Sequence, residues 1–340
     1  MRIILTKMSS LGDIVHTFPA LTDAALHGYS FDWIVEEQFA DIAAMHPAVD
    51  RVVPIALRRW RSGRAVNTYT EFMRFLKLLR EQQYDMVIDA QGLLKSGIIS
   101  ALVKGKHRGG FTASSAREGI ASVFYDSKVK VDKNDHAINR LRHLFGSLFN
   151  YKVEAEFNYG IENPNTRDNT CVLIHGSTWP SKEWPEVMWV RVGQLANESG
   201  MKVALPWQGD IERSRAERLA GQLDATLWGG LSIMDITERL SRSRLVIGID
   251  SGLSHLSAAL GSSTVVIYGS TDLKLTGVRG RSAVGLSPSF PCSPCLKKAC
   301  NYSGSPRDWH NTNVSPACYS GVTPELVWRA ADDLIDEDRL

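Results

Sequence analysis

The chain has 340 residues, of which 44% are hydrophobic and 22% charged, and its formal net charge is +2. This is the composition of a globular protein, and a charge so near zero gives no reason to expect a nucleic acid as partner. No stretch has the ~18 consecutive apolar residues of a transmembrane helix, and Arg2–Thr6 runs directly into a strand pattern instead of a signal peptide. The sequence therefore predicts a cytoplasmic protein, and its length predicts two domains.

The N-terminal half alternates short apolar runs with helical patterns. The predicted strands are Ile3–Thr6, Phe31–Val35, Arg51–Ile55, Met86–Asp89 and the basic segment His107–Phe111. The predicted helices are Ile14–Ala25, Tyr69–Gln82 and Leu94–Val103. Such alternation indicates a parallel sheet with right-handed crossovers.

A second series follows a linker at Lys152–Asn169. Its predicted strands are Cys171–His175, Met201–Leu205, Leu245–Ile249 and Thr264–Tyr268, and its predicted helices are Glu186–Ser199, Glu212–Leu223, Ile233–Ser241, Leu253–Leu260 and a last helix from Thr323. We expect an α/β fold with two Rossmann-like parallel-sheet domains facing a central cleft. The expected domains are residues 1–160 and 161–322, with a C-terminal helix in 323–340 that is able to pack back on the N-terminal domain.

The turn after the first strand carries the first candidate for chemistry. Ser9–Asp13 holds one glycine, so the G-x-G-x-x-G fingerprint of dinucleotide enzymes is missing and a nicotinamide oxidoreductase is disfavoured. Asp13 at a helix start fits a general base for an attacking hydroxyl. The alternative is a carboxylate that simply stabilises the helix N-terminus.

A second set of candidates lies in the C-terminal half, again after strands. Hydroxyl groups, a lysine and helix N-termini are suited to binding a diphosphate, and a glutamate at a helix start is suited to binding ribose hydroxyls. The structural alternatives are that the loop only caps a helix, that the lysine lies on the surface and that the histidine is packed in the core. The residues concerned are Ser177, Thr178, Lys182, Glu212, Asp250, Ser251, Gly252 and His255.

A basic cluster with one aromatic residue, Arg58, Arg59, Trp60, Arg61 and Arg64, fits a phosphorylated acceptor at a membrane surface, unless it is a solvated surface. Lys95, Arg117, Arg140 and Arg142 extend it. Near the end of the chain, four cysteines have the count and the first spacing of a zinc site, although the second pair is irregularly spaced, and free thiols are the alternative. They are Cys292, Cys295, Cys300 and Cys318.

Several of these segments together resemble a known family. Thr6–Leu21 and the run Asp250–His255 are similar to the bacterial lipopolysaccharide heptosyltransferases of glycosyltransferase family 9. The matching segments that resemble the type I members in particular are Arg58–Arg61, Asp89–Ser96, His136–Ala137, Leu205–Trp207 and Ser270–Asp272.

The resemblance implies a GT-B fold and transfer of L-glycero-D-manno-heptose from ADP-heptose to the Kdo residue of Kdo–lipid A, with inversion. It implies that Asp13 is the general base and that Lys182 stabilises the leaving group. It also implies no cofactor and no protein partner, and a location at the inner face of the inner membrane. The implied donor-binding residues are Ser177, Thr178, Glu212, Leu231, Asp250, Ser251, Gly252 and His255. The implied acceptor-binding residues are Ser10, Gly12, Arg58, Arg59, Trp60, Arg61, Arg64, Gln91, Lys95, Arg117 and Arg140.

Two other functions remain open at this point. One is a family 9 enzyme with a different acceptor, such as a type II heptosyltransferase, because the four-cysteine segment resembles one found in some type II sequences. The other is a non-catalytic protein that binds a nucleotide sugar. An assay that compares Kdo–lipid A with its mono-heptosylated form distinguishes the type I from the type II acceptor. Release of ADP in the presence of donor and acceptor distinguishes an enzyme from a binding protein.

Overall fold

The computed structural model describes residues 1–61, 63, 68–161 and 166–337. The chain divides into two compact units, Met1–Ile161 and Glu162–Leu340. Each unit is built on one six-stranded sheet with helices between its strands, so the predicted α/β class is confirmed.

The described strands of the first sheet all run parallel. In chain order they are β1 Ile3–Thr6, β2 Phe31–Glu36, β3 Val49–Ile55, β4 Tyr84–Asp89, β5 Gly105–Phe111 and β6 Ser127–Val129. Across the sheet the order is β3-β2-β1-β4-β5-β6, which reverses between β1 and β4. Such a switch point opens a crevice at the carboxyl ends of the two strands, where ligands bind in open α/β sheets.

Helices cover both faces of this sheet. They are α1 Leu11–Val15, α2 Phe18–Leu26, α3 Ala40–Ala44, α4 Leu57–Arg61, α5 Thr68–Arg80, α6 Leu94–Leu102 and α7 Ala137–Phe149, with 3₁₀ turns at Glu37–Phe39 and Gly119–Phe124. On one face, Phe75 of α5 and Ile99 of α6 join the core around Ile4 of β1. α2 and α7 pack together, and the Arg142 Nε donates to Asp23 Oδ2 at 2.6 Å between them.

The first predicted helix was wrong in one respect. The segment Ile14–Ala25 is divided between α1 and α2, and the helix is interrupted at His16 and Thr17. Pro19 explains the break, because proline lacks the N–H that an uninterrupted helix would use and is tolerated in the first turn of a new one. The prediction also missed α7, because polar residues between its buried positions obscure the helical periodicity.

The second sheet repeats the strand order of the first. Its strands are β7 Asp168–Ile174, β8 Lys202–Pro206, β9 Ala225–Trp228, β10 Ser243–Ile249, β11 Ser263–Ile267 and β12 Ala283–Leu286. They are parallel in the order β12-β11-β10-β7-β8-β9, so the switch point lies between β7 and β10. The other elements are helices α8 Glu186–Glu198, α9 Gly209–Ala220, α10 Ile233–Arg242, α11 Gly252–Ala259, α12 Leu273–Thr276 and α13 Pro324–Glu337, 3₁₀ turns at Pro180–Lys182 and Ala317–Gly321, and the hairpin of β13 Asp308–Trp309 and β14 Thr312–Asn313.

The last helix, α13, packs on the second sheet. It contacts β10, β11, β12 and α8, and Val327, Ala331 and Ile335 are buried in that core. The contacts group this helix with the second unit, and its additional packing on the N-terminal domain stays a prediction. Throughout the described ranges, no helix combines the length and the apolar character needed to cross a bilayer.

Candidate active site

Four of the predicted site residues follow the strands that flank the two switch points. In the first unit Asp13 follows β1 and Gln91 follows β4. In the second unit Lys182 follows β7 and Asp250 follows β10. Since ligands bind at the carboxyl ends of switch-point strands, each unit places its polar groups where its topology favours a ligand site.

The Asp13 carboxylate is held by three donors. Its Oδ1 accepts from the Lys7 Nζ at 3.1 Å, and its Oδ2 accepts from the backbone N–H of Ser10 at 2.8 Å and the Ser10 hydroxyl at 3.1 Å. The Lys7 side chain is 8% exposed and that of Asp13 is 29% exposed. The carboxylate is therefore fixed in orientation and still accessible to a substrate.

Charges around Asp13 keep it ionised. Burial alone would raise its pKa, but the charge of Lys7, the Ser10 N–H and the charge of Arg117 outweigh burial and lower the pKa to about 2. At neutral pH the group is a carboxylate that is able to accept a proton.

Gln91, a predicted acceptor-binding residue, shapes the turn that precedes Asp13. Its Oε1 accepts from the backbone N–H of Met8 at 2.8 Å, and its Nε2 donates to the carbonyl of Ser9 at 2.6 Å. The buried Asp89 carboxylate in turn accepts from the backbone N–H groups of Gln91 and Gly92. Gly92 has φ +66°, a conformation that favours glycine. The Gln91 amide is thus committed to the protein backbone.

Three of the predicted acceptor-binding cations lie close to the first switch point. Arg117 is exposed and its charge acts on Asp13. The Arg58 backbone N–H donates to the Glu36 Oε1 at 3.2 Å at the end of β2, and Lys95 lies in the first turn of α6, which follows β4. Burial raises the pKa of Glu36, and the charges of Arg58 and Lys95 partly offset that rise.

The other members of this set are placed differently. The Arg140 guanidinium donates to the Ser115 carbonyl at 2.8 Å and lies over the Phe111 ring. Arg61 is exposed at the end of α4, Gly12 lies within α1, and Arg64 falls outside the described residues.

Arg59 and Trp60 are bound to neighbouring side chains and thus serve the local fold. The Arg59 guanidinium donates to Glu37 at 2.9 Å and to Glu71 at 2.7 Å. The Trp60 Nε1 donates to Glu71 at 2.8 Å, and its ring packs edge-on against Phe72. These contacts attach α4 to α5, and direct contacts of Arg59 and Trp60 with the acceptor stay a prediction.

In the second unit, the partly buried Lys182 and the buried Asp250 and His255 form a chain of polar side chains. The Lys182 Nζ lies 2.7 Å from the Asp250 Oδ2, and the His255 Nε2 lies 3.2 Å from the Asp250 Oδ1. The Lys182 Nζ also lies over the Trp179 ring, 5.0 Å from its centroid. Burial would raise the pKa of Asp250, but the hydrogen bond and charge of His255 and the charge of Lys182 hold it well below its ordinary value. Asp250 therefore positions Lys182 at the end of β10.

The start of α11 provides backbone donors beside this chain. Ser251 is the residue before the helix, and its Oγ lies 3.0 Å from the Ser254 Oγ. Gly252 is the first helical residue and is partly exposed. A helix N-terminus of this kind attracts phosphate oxygens.

The loop after β7 meets the start of α9. Glu212 lies against Gly176, since a Cβ added to that glycine would be 2.5 Å from the Glu212 Cδ. Burial raises the pKa of Glu212, and its Oε2 accepts from the Gln208 N–H at 2.8 Å. The Ser177 Oγ accepts from the Trp179 N–H, and Thr178 is exposed. Leu231 is partly exposed and comes just before α10.

The cysteine-containing segment supports the loop that carries Lys182. The backbone N–H of Ser181 donates to the Lys298 carbonyl at 3.2 Å, and its hydroxyl donates to the Lys297 carbonyl at 2.5 Å. Ser181 also lines a cavity with four cysteines, Cys292, Cys295, Cys300 and Cys318. Among the described residues, no three His, Cys, Asp or Glu side chains are grouped so that they could hold a metal ion. The zinc hypothesis thus gains no support, and none of the four cysteines forms a disulfide.

Comparison with known proteins decides the family. The sequence pattern described as Glycosyltransferase family 9 (heptosyltransferase) matches residues 72–305. Lipopolysaccharide heptosyltransferase 1 of Pseudomonas aeruginosa is 42% identical over 340 residues, 96% of each chain. The enzyme of that name from Escherichia coli (strain K12) is 39% identical, over 83% of this chain and 92% of its own. The chain belongs to glycosyltransferase family 9.

A solved structure of a family 9 enzyme supports the same conclusion. E. coli heptosyltransferase WaaC with ADP-2-deoxy-2-fluoro heptose matches with a TM-score of 0.81 at 33% identity, over 98% of this chain and 99% of that one. The family, the glycosyltransferase class and the GT-B type of fold expected from the sequence are therefore confirmed.

Sequence reasoning missed three residues around the sites of this family 9 enzyme. Lys7 follows β1 directly, and a lysine after a short strand gives no sign of being buried against Asp13. Ser181 was passed over beside Lys182. His175, at the end of β7, is buried, and burial together with the charge of Arg215 lowers its pKa to about 4, so it is neutral at pH 7.

Proposed function

We propose that this enzyme transfers L-glycero-D-manno-heptose from ADP-heptose to the Kdo residue of Kdo–lipid A, with inversion at the anomeric carbon. The observation that carries the proposal is the similarity, over 96% of the chain, to lipopolysaccharide heptosyltransferase 1. The ADP-heptose analogue in the WaaC structure supports the choice of donor.

In this mechanism Asp13 is the general base. Its carboxylate is ionised and accessible, so it takes the proton of the acceptor hydroxyl as the oxygen attacks the anomeric carbon. The new bond forms on the face opposite the departing ADP, and this direct displacement inverts the configuration. Lys7 and Ser10 hold the carboxylate in position during the transfer.

The second unit binds the donor and stabilises its leaving group. Negative charge develops on the diphosphate as the glycosidic bond breaks, and Lys182 and the start of α11 carry the complementary charge. The Glu212 carboxylate accepts hydrogen bonds from the ribose hydroxyls, and Ser177 and Thr178 donate hydrogen bonds to phosphate oxygens. Because these groups belong to the chain itself, we propose that turnover needs no resident metal.

The exposed cations of the first unit meet the acceptor. Kdo and the lipid A phosphates are anionic, and Arg117 and Lys95 are exposed near the first switch point. Since lipid A is embedded in a bilayer, the enzyme acts as a peripheral protein at the inner face of the inner membrane.

A paired-acceptor assay tests this proposal. Purified enzyme is given ADP-heptose with either Kdo–lipid A or its mono-heptosylated form, and ADP release is measured. We expect turnover with Kdo–lipid A. Turnover only with the mono-heptosylated acceptor would assign the enzyme to the type II step. If neither acceptor leads to release of ADP, the protein would be a nucleotide-sugar-binding protein without transferase activity.

A variant tests the base. Asp13→Asn keeps the size of the side chain but cannot take the proton, so kcat should fall by about 10²–10⁴ while the Kd for ADP-heptose stays within about twofold. Normal turnover of Asp13→Asn would refute the assignment.

A further inference from the structure

Four large apolar side chains are exposed on two neighbouring elements of the first unit. Leu94 and Ile98 of α6 are 40% and 44% exposed, and Ile120 and Val123 of the 3₁₀ turn Gly119–Phe124 are 57% and 65% exposed. We call these four residues the apolar patch.

The two elements that carry the patch are fixed to each other. A Cβ added to Gly97 of α6 would lie 2.5 Å from the Phe124 ring, which shows how closely the elements pack. The Leu94 N–H donates to the Glu118 Oε2 at 2.7 Å. Leu94 and Ile98 are four residues apart on an α-helix, and Ile120 and Val123 three apart on a 3₁₀ turn, so each pair lies on one face.

The patch is additional to the core that these elements already complete. Ile99 and Ser96 of α6 are buried, as are Ala121 and Ser122 of the 3₁₀ turn. Single exposed apolar residues are ordinary on a protein surface, but four that are grouped on packed elements mark an interaction site.

Positive charge surrounds the apolar patch. Lys95 follows Leu94 directly, Arg117 comes three residues before Ile120, and both are exposed. The helix α5, which packs beside α6, exposes Met73, Arg74 and Lys77. Glu118 is the one exposed acid among these neighbours, against the four cations Lys95, Arg117, Arg74 and Lys77. The surroundings of the patch are therefore complementary to an anionic partner with an apolar interior.

We propose that the apolar patch docks the enzyme on an anionic lipid bilayer. Its four side chains enter the boundary between headgroups and acyl chains, while Lys95 and Arg117 meet lipid phosphates. The inference rests on the proposed function, because a bilayer is where a lipid A acceptor would be presented.

Vesicle binding tests the docking surface without any acceptor. The full chain is mixed with phosphatidylglycerol–phosphatidylethanolamine vesicles, and the bound fraction is measured by flotation. The triple variant Ile98→Ser, Ile120→Ser, Val123→Ser should bind at least about tenfold more weakly, because three apolar anchors are lost. The control is Leu26→Ser with Leu326→Ser, which changes exposed apolar residues elsewhere (82% and 40% exposed) and should bind like the wild type.

A second measurement separates this proposal from the transfer reaction. With a deacylated, water-soluble acceptor the triple variant should keep wild-type kcat/KM, while with the acceptor in vesicles its rate should fall with its binding. Equal vesicle binding by the wild type and the triple variant would overturn the proposal. So would a wild-type dimer that the triple substitution dissociates without any change in vesicle binding. Absence of turnover with every acceptor would refute the proposed function, and flotation would still report on docking.

Discussion

The Nζ of Lys7 lies 3.1 Å from the Oδ1 of Asp13, with the lysine buried and the carboxylate partly exposed. The cation approaches from within the fold, so the accessible side of the carboxylate stays available to an acceptor. Lys7 consequently helps to keep Asp13 ionised without covering the exposed side of its carboxylate.

Lys7→Met should therefore change the pH dependence of the reaction. Without the nearby charge the pKa of Asp13 rises from about 2 toward the ordinary carboxyl value, and the acid limb of the kcat/KM profile should move up by about one pH unit or more. At pH 7.5 Asp13 is ionised in both proteins, so the larger loss is expected at acid pH. An unchanged acid limb would argue against Asp13 as the base, and Lys77→Met, on exposed α5, is the control.

The same ion pair affects stability with a definite sign. Because the folded-state pKa of Asp13 lies below its unfolded value, the stabilisation is present above pH 4 and is lost as the pH falls toward 2. Lys7→Met should remove this contribution. Urea unfolding at pH 7 and near pH 3 should show a smaller decline for the variant than for the wild type.

Asp250→Asn should weaken both the fold and the reaction. Its carboxylate is the ion-pair partner of the partly buried Lys182, and because that lysine is partly exposed the loss of unfolding free energy should be smaller than the ~3–5 kcal/mol of a fully buried pair. Because the lowered pKa keeps Asp250 ionised well into the acid range, this loss should be seen at every pH above the ordinary carboxyl value. The lysine also loses its position, so kcat should fall by about tenfold or more.

His255→Gln provides the comparison for Asp250→Asn. It keeps a donor near the Asp250 Oδ1 and leaves the Lys182 pair intact, so its effects on stability and on kcat should be smaller. Equal effects of the two substitutions would contradict a positioning role for Asp250.

Gly176→Ala tests Glu212 through its neighbour. The new Cβ would lie 2.5 Å from the Glu212 Cδ, and since that carboxylate ends a flexible side chain it moves while the backbone does not. The KM for ADP-heptose should therefore rise several-fold, with little change in the unfolding midpoint. Gly221→Ala is the matched control, because the nearest atoms to its Cβ are 3.6 Å away. A wild-type KM in Gly176→Ala would mean that Glu212 does not bind the ribose.

Removal of divalent metals should leave the rate unchanged. In the proposed mechanism a lysine and backbone donors stabilise the leaving diphosphate, and in the described part of the chain no cluster is arranged to hold a metal ion. After dialysis against EDTA we expect full activity, and elemental analysis of the purified protein should find no stoichiometric zinc. A loss of turnover that magnesium restores would contradict the mechanism, and one equivalent of zinc would restore the four-thiolate hypothesis.

The parts of the fold that the sequence predicts well are its fully buried strands. Ile3–Thr6 and Leu245–Ile249 are continuous apolar runs because helices cover both faces of a parallel sheet, and polar residues that follow such runs must lie at its carboxyl edge. The placement of Asp13 and Asp250 depends on this rule alone. Edge strands such as Ala225–Trp228 lack that burial and were missed.

Side-chain pairing was beyond the reach of sequence patterns. The basic run at Arg58–Arg61 indicates charge but not its partners, and the carboxylates that bind Arg59 come from Glu37 and Glu71, 22 and 12 residues away. Those contacts depend on how α4 lies on the sheet. The order of residues in the sequence does not indicate that packing. For the same reason the sequence did not indicate that Lys7 pairs with Asp13.

The position of α13 has a consequence for how the protein is made. The first sheet is complete when Val129 has been synthesised, so the first unit has all its strands while much of the chain is still on the ribosome. The second sheet has its last strand at Leu286, but the face over β10 and β11 stays uncovered until Pro324–Glu337 arrives. Nascent chains that stall in between would display that apolar face to chaperones and proteases. A premature stop codon between Leu286 and Pro324 would therefore yield a chain whose first unit folds and whose second unit is a target for proteases.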